Sequence, residues 1–283
     1  MNNEHKQRIC ESLRAYCGRK GSQNKAANSL NGVSSATVSK VLSGQWNTIA
    51  DEMWRTIEAQ TGGRADGWQV VNTRAFDTMT FTLKHAQADA LVLAVTGDAG
   101  CGKTEAVRRY AAEHDNAYHL VCSEYWNRRT FMTQLLRCMG VGVSGGTVGE
   151  MMDDIVDALL SQESPLIVLD EADKLTDQVL YFFITLYNRL EGHCGIILTA
   201  TPYLRKRVER GVQLSRKGYA EIYSRIGRKF VPLPLPGPED IAAICTANGL
   251  TESSTLSAIA GEAEGDLRRV KRSVWARLKG GAQ

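Results

Sequence analysis

The sequence predicts an α/β fold: a parallel-sheet core flanked on either side by small all-helical segments. Three observations predict it. The apolar runs at 90–95, 165–169 and 195–200 are continuous rather than alternating, as strands buried on both faces of a parallel sheet are. The stretch after the first run, 105–113, has the composition of a helix, so strand is followed by helix. The flanks, to about residue 62 and from about residue 237, are short and read as helical.

Composition narrows the class. Of 283 residues, 43% are hydrophobic and 23% charged, the balance of an ordinary globular protein. No apolar run approaches the roughly 18 residues of a membrane span. The N-terminus MNNEHKQRIC lacks a signal-peptide core, so a cytoplasmic location is expected. The seven cysteines are scattered without a C-x-x-C pair and read as reduced thiols. The five histidines have no metal-ligand spacing. A net charge of +3 is too weak to imply nucleic acid by itself.

Three segments are expected: 1–62, 68–231 and 237–283, with Gly62-Gly63 as a hinge-like pair. In the first, Ser22 to Leu30 can form a short helix, Asn31-Gly32-Val33 a turn, and Ser34 can cap a second helix over Ser35 to Leu42. Ser43-Gly44 ends it. Val38, Val41 and Leu42 fall on one face, with Ile9, Leu13, Met53, Trp54 and Ile57 completing a core. Ser35, Thr37, Ser39 and Lys40 remain outward, short and polar, suited to DNA phosphates and base edges. The pattern resembles a helix-turn-helix of the lambda-repressor type. No Arg stands on that face to grip guanine bidentately, so weak sequence specificity is expected. Leu42-Ser-Gly-Gln45 resembles a transporter ATPase signature, but it lacks the second Gly and precedes the nucleotide motifs. It reads better as a helix end.

The second segment opens its chemistry with GDAGCGKT, residues 97–104, which fills every fixed position of the phosphate-binding loop G-x-x-x-x-G-K-[ST]. Gly97, Gly100 and Gly102 let backbone N–H groups curl toward phosphate oxygens. The following helix N-terminus adds partial positive charge. Lys103 would neutralise the β- and γ-phosphates of ATP, and the Thr104 hydroxyl would hold Mg²⁺. Cys101 reads as a small filler. The second apolar run ends in Asp170-Glu171, at the strand end where an α/β sheet binds ligands. Asp170 would bind Mg²⁺ through water, and Glu171 would polarise the attacking water as general base. Asp173 and Lys174 read as a solvated helix start. The third run ends at Thr201, which would orient the water or sense the γ-phosphate, with Thr199 the competing choice. The run Phe230 to Pro238 holds four of the chain's six prolines and reads as an extended connector.

This combination resembles the AAA+ ATPases: an α/β P-loop core with a parallel sheet and a small helical lid. Ile222-Tyr-Ser-Arg225-Ile-Gly-Arg228 resembles that family's Ser-Arg box. The resemblance implies that Arg225 is an arginine finger for a neighbouring subunit's ATP, with Arg228 competing. Gly265-Asp-Leu-Arg268-Arg-Val resembles the lid motif that touches the γ-phosphate, with Arg268 matching and Arg269 the fallback. The whole order, helix-turn-helix then AAA+ core then lid, resembles the phage Mu B-type transposition ATPases. So do GKTEA at 102–106, Asp170-Glu-Ala-Asp-Lys-Leu175 and Ser224-Arg-Ile226. The family more often has Asn where Thr201 stands, which bears on the rate of hydrolysis.

The resemblance implies an ATP- and Mg²⁺-dependent ATPase that binds double-stranded DNA with little sequence preference. It implies helical self-assembly on target DNA, recruitment and stimulation of a transposase, and no membrane, inside a bacterial host cell. Arg128 and Arg129 would then line the filament bore. Arg205, Lys206 and Arg207 are left unassigned, and Arg268 to Arg272 is a further DNA candidate. The alternative is an ATP-gated transcription regulator or replication initiator. A signalling ATPase whose N-terminal helices bind protein is a third reading.

Overall fold

The computed structural model describes residues 1, 3–61, 68–143 and 145–280. Gly62 and Gly63 lie outside the described residues. The chain opens with α1 (Asn3–Arg19), α2 (Gln23–Ser29), α3 (Ser35–Leu42) and α4 (Asp51–Thr61). The Ser22 and Ser34 hydroxyls cap α2 and α3, each accepting from the amide three residues on, at 3.1 Å. Helices this short are marginal alone and need a shared core. Ile9, Leu13, Val38, Val41, Trp54 and Ile57 supply it, with Leu42 and Met53 at its margin.

The middle of the chain alternates strand and helix. It runs α5 (Arg74–Ala88), β1 (Val92–Thr96), α6 (Lys103–Glu113), β2 (Ala117–Val121), α7 (Arg128–Met139), α8 (Val148–Leu160) and β3 (Leu166–Asp170). Then follow α9 (Asp177–Leu180), α10 (Phe182–Leu190), β4 (Gly195–Ala200), α11 (Pro202–Gln213), α12 (Tyr219–Arg225) and β5 (Phe230–Pro232). The strands form one sheet in the order β2-β3-β4-β1-β5, every pairing parallel. β3 and β4 are buried along their whole length, which is why they read as unbroken apolar runs.

Alternate residues feed opposite faces of the sheet. Ile167, Leu169, Ile196 and Leu198 pack with α7, α8 and α10. Leu166, Val168 and Ile197 pack with α5 and α6. The proline-rich connector is extended as expected, and its first three residues form β5. As an edge strand, β5 has no neighbour on one side, so Pro232 leaves no ladder bond unmade.

The chain closes with α13 (Pro238–Ala247), α14 (Ser253–Ala263) and α15 (Leu267–Gly280). Their core joins Ile241, Ile244, Cys245, Ile259, Val270 and Val274. Trp68 and Val71, at the start of the middle segment, pack on this same cluster. Asn248 fixes them by bonding both polar groups of the Gln69 backbone, at 2.8 and 3.0 Å. Residues 68–71 therefore tie the C-terminal helices back to the sheet.

Candidate nucleotide site

The chain leaves β1 and turns sharply into α6. Gly97 N–H still pairs with Ala200 O on β4, at 3.1 Å. Gly100 and Gly102 then take φ of +81° and +103°, which an L side chain resists. Gly102 caps α6 and Lys103 begins it. The Lys103 amine is drawn over the loop, donating to Gly97 O at 2.6 Å and Asp98 O at 2.9 Å. A lysine is mostly surface-seeking; this one is 9% exposed and held by carbonyls at a helix N-terminus.

Asp170 ends β3 beside this loop and is fully buried. Its carboxylate accepts from the Thr199 hydroxyl, from the Glu171 amide at 3.0 Å, and meets His119 Nε2 at 3.1 Å. Burial pushes its carboxyl upward, but the bonds from His119, Thr199 and Thr104 prevail and hold it below the usual carboxylate range. It is therefore an anion at neutral pH, in contact with the hydroxyl that follows Lys103.

Glu171 occupies the left-handed region, φ +56°, a strained setting for a non-glycine residue. Its carboxylate pairs with Lys174 Nζ at 2.5 Å. Thr201 caps α11 and donates its hydroxyl to Asp173 Oδ2 at 2.5 Å. Asp173 and Lys174, expected as a solvated helix start, instead border the cleft and engage Thr201 and Glu171. Thr199 is buried against Asp170, whereas Thr201 borders the cleft.

A cleft of about 590 Å³ lies above these residues, within the size range of small-ligand pockets. Gly100, Lys103, Thr104, Glu171, Thr201 and Arg268 border it, and Trp68, Val71, Ile244 and Leu267 form its apolar side. The C-terminal helices rest directly on the phosphate loop: Leu267 N–H donates to Gly100 O at 3.0 Å. A Cβ at Gly100 would lie 2.0 Å from Asp266 Oδ1. Arg268 borders the cleft, while Arg269 is turned to Glu264 at 2.8 Å.

The donor set fits a magnesium nucleotide. Thr104 and Asp170 are hard oxygen ligands, and Mg²⁺ typically takes one or two from protein and the rest from phosphate and water. No cluster of three or more His, Cys, Asp or Glu exists among the described residues, as a self-sufficient metal cage would need.

The remaining expected site residues lie outside this cleft. Arg225, at the end of α12, bonds Asn188 Oδ1 at 3.2 and 3.3 Å and lies 4.8 Å over the Tyr187 ring. Arg228 is exposed and follows a turn. On α3, Ser35, Ser39 and Lys40 are exposed, and Thr37 is half-buried with its hydroxyl 2.9 Å from Ser34 Oγ. Arg128 is exposed at the start of α7, and Arg129 donates to Gly146 O at 2.7 Å.

Sequence reasoning missed two structural roles. Arg207 joins Asp177 at 2.5 Å, the Tyr219 hydroxyl at 2.9 Å and Leu175 O at 2.7 Å, so it braces the sheet's flank rather than a DNA face. His119 touches Asp170 from the neighbouring strand. Its only sequence signal is a polar residue inside a strand of otherwise apolar company.

Residues 86–208 match the family model described as an AAA domain. Over those residues the chain is similar to AAA domains. The chain is also 24% identical over 172 residues to the Mu-like prophage FluMu DNA transposition protein B of Haemophilus influenzae. That match covers 60% of this chain and 58% of the relative's length. The resemblance to Mu B-type transposition ATPases read from the motifs is thus found across a majority of the chain. The crystal structure of NtrX from Brucella abortus aligns over 82% of this chain and 56% of its own, at 14% identity and a TM-score of 0.49. Within the matched residues, β1 and α6 flank the phosphate loop, and β3 and β4 carry the acid and the threonines. Among the described residues, no helix is long and apolar enough to cross a membrane.

Proposed function

We propose that this chain is an ATP-hydrolysing, DNA-binding assembly factor that prepares target DNA for a transposase. The observation carrying the ATPase reading is the convergence of Lys103, Thr104 and Glu171 on one cleft under the C-terminal helices, with the buried Asp170 bonded to Thr104 behind it. Thr104 and Asp170 would hold Mg²⁺, which when bound neutralises charge on the phosphates. Lys103 exchanges its carbonyl partners for phosphate oxygens. Glu171 leaves Lys174 to accept a proton from the attacking water, and Thr201 orients that water from the end of β4. Arg268 meets the terminal phosphate from the lid, residues 237–283.

Arg225 acts in trans. Its guanidinium is bonded to Asn188 and does not border its own cleft, and an arginine stabilises the transferring phosphoryl group only at close range. A second copy of the chain supplies what each site lacks, so ATP cements the contact between copies. The named function of the Haemophilus relative, DNA transposition, supports DNA as the surface on which they assemble. Residues 1–62 and the exposed start of α7 supply the contacts: Ser35, Thr37, Ser39 and Lys40 on one, Arg128 and Arg129 on the other. Tyr125, 80% exposed beside these arginines, adds an aromatic face to that edge. Binding through many phosphate contacts falls steeply with salt.

The test is ATPase rate with and without DNA of unrelated sequences, with electron microscopy of the same samples. The expected result is turnover raised by DNA and ATP-dependent filaments on every sequence. Free monomers in the presence of ATP and DNA would overturn the assembly reading. A strong preference for one defined site would point to a regulator or initiator instead.

A further inference from the structure

His119 stands at the centre of β2, with Val168 of β3 as its register partner. Its side chain is 12% exposed and that of Asp170 is 0% exposed. The two carboxylate oxygens of Asp170 are differently employed. Oδ1 takes the Thr199 hydroxyl and the Glu171 amide, whereas Oδ2 takes the His119 ring.

The backbone of His119 faces a different set of partners. Its carbonyl accepts from Cys138 Sγ at 3.2 Å, and the Cys138 carbonyl accepts from Lys20 Nζ at 2.6 Å. Lys20 follows α1, so this chain of bonds begins in the N-terminal helices and ends at the buried acid. Parallel contacts seat those helices on α7: Arg137 Nη1 reaches Asn31 Oδ1 at 3.1 Å, and Asn28 Nδ2 reaches Gly140 O at 3.5 Å. A second cavity, of about 230 Å³, opens at this seat between Tyr16, Lys20, Arg137 and His119.

We propose that His119 is a positioning residue: it fixes the Asp170 carboxylate and links its orientation to the seating of the N-terminal helices on α7. The inference rests on the reading of Asp170 as the metal-side acid. A carboxylate anchored at Oδ2 has less rotational freedom to lose when a cation binds. The anchor is itself placed by β2, whose position depends on α7 and, through Cys138, on Lys20. Linkage is reciprocal, so a magnesium nucleotide that favours the anchored acid must alter the N-terminal seat by the same free energy.

Hydrogen exchange of the full-length protein reads both ends at once. Wild type, His119→Phe, His119→Gln and Lys20→Met are compared with and without a magnesium complex of a non-hydrolysable ATP analogue. In wild type, exchange is expected to slow at residues 97–110 and to change at 20–31 and 134–140. His119→Phe is expected to retain the first response and lose the second. It should also need on the order of fivefold more Mg²⁺ for half-maximal protection of the phosphate loop. His119→Gln, which keeps a hydrogen-bonding side chain, should restore part of both.

Lys20→Met interrupts the path far from the sheet, so it gives the second readout even if His119→Phe fails to fold. An unchanged response at 20–31 in Lys20→Met overturns the linkage, whether or not His119→Phe folds. So does a wild type that protects 97–110 and leaves the seat unmoved. Absence of protection at 97–110 in wild type would instead overturn the nucleotide reading, and this proposal with it.

Discussion

Thr199 donates its hydroxyl to the carboxylate of Asp170, and both side chains are fully buried. The bond joins β4 to β3 at the ends where the cleft opens. It also helps keep a buried carboxyl ionised against the pull of its surroundings. Thr199→Val should therefore leave a buried acceptor short of a donor, at a cost of about 1–3 kcal/mol. Thermal unfolding should record the loss, and a melting temperature equal to wild type would show that the bond contributes nothing. Thr201→Val, which breaks only the cap and the contact to Asp173, should cost less stability.

The same acid sets a pH dependence. Its folded value lies below the ordinary carboxylate value of about 3.9, so the unfolded chain binds the proton more readily. Its stabilising contribution is complete above that ordinary value and disappears as pH falls through the depressed one. Asp170→Asn should flatten this acid limb of stability against pH while leaving the neutral range without a comparable slope. Melting temperatures between pH 2 and 7 for the two proteins are the check.

Lys103→Ala should abolish nucleotide binding without unfolding the loop, because the amine's present partners are carbonyls that water can satisfy. Titration with a fluorescent ATP analogue measures this. Retained tight binding would remove Lys103 from the phosphate site.

Glu171→Gln should bind ATP normally and turn over about 10²–10⁴-fold more slowly, the usual contribution of a general base. Filaments on DNA should then persist after ATP is withdrawn. Near-normal turnover would exclude Glu171 as the base.

Arg225→Ala should keep ATP binding and lose hydrolysis by about 10³-fold, as when an arginine finger is withdrawn. Mixing it with Lys103→Ala should recover part of the activity, because a mixed interface in one of its two orders combines an intact loop with an intact finger. If Arg225→Ala alone hydrolyses ATP at the wild-type rate, the trans assignment fails.

How much of this was legible in the sequence depends on the range of the interaction. The phosphate loop, the caps at Ser22 and Ser34 and the strands β1, β3 and β4 are local patterns, written within a dozen residues each. Contacts between distant residues are not written that way. Asp173 looks like a helix start until α11 brings Thr201 to it. Arg207 looks like one of three basic residues on a helix until Asp177 and Tyr219 enclose it. His119 has no metal-ligand spacing to its neighbours in sequence, and spacing is blind to an acid 51 residues away on the next strand. The proline-rich connector is legible as extended chain, but nothing local shows that its first residues pair with β1.

The bond from Leu267 to Gly100 spans most of the chain's length, and it gives the protein a schedule as well as a shape. A ribosome finishes the phosphate loop long before it begins α15. During that interval the nascent chain can fold its sheet, since domains generally form as they emerge. Yet it has no wall over the loop. On the proposed reading, nucleotide retention and self-assembly would both wait for α15 to be made.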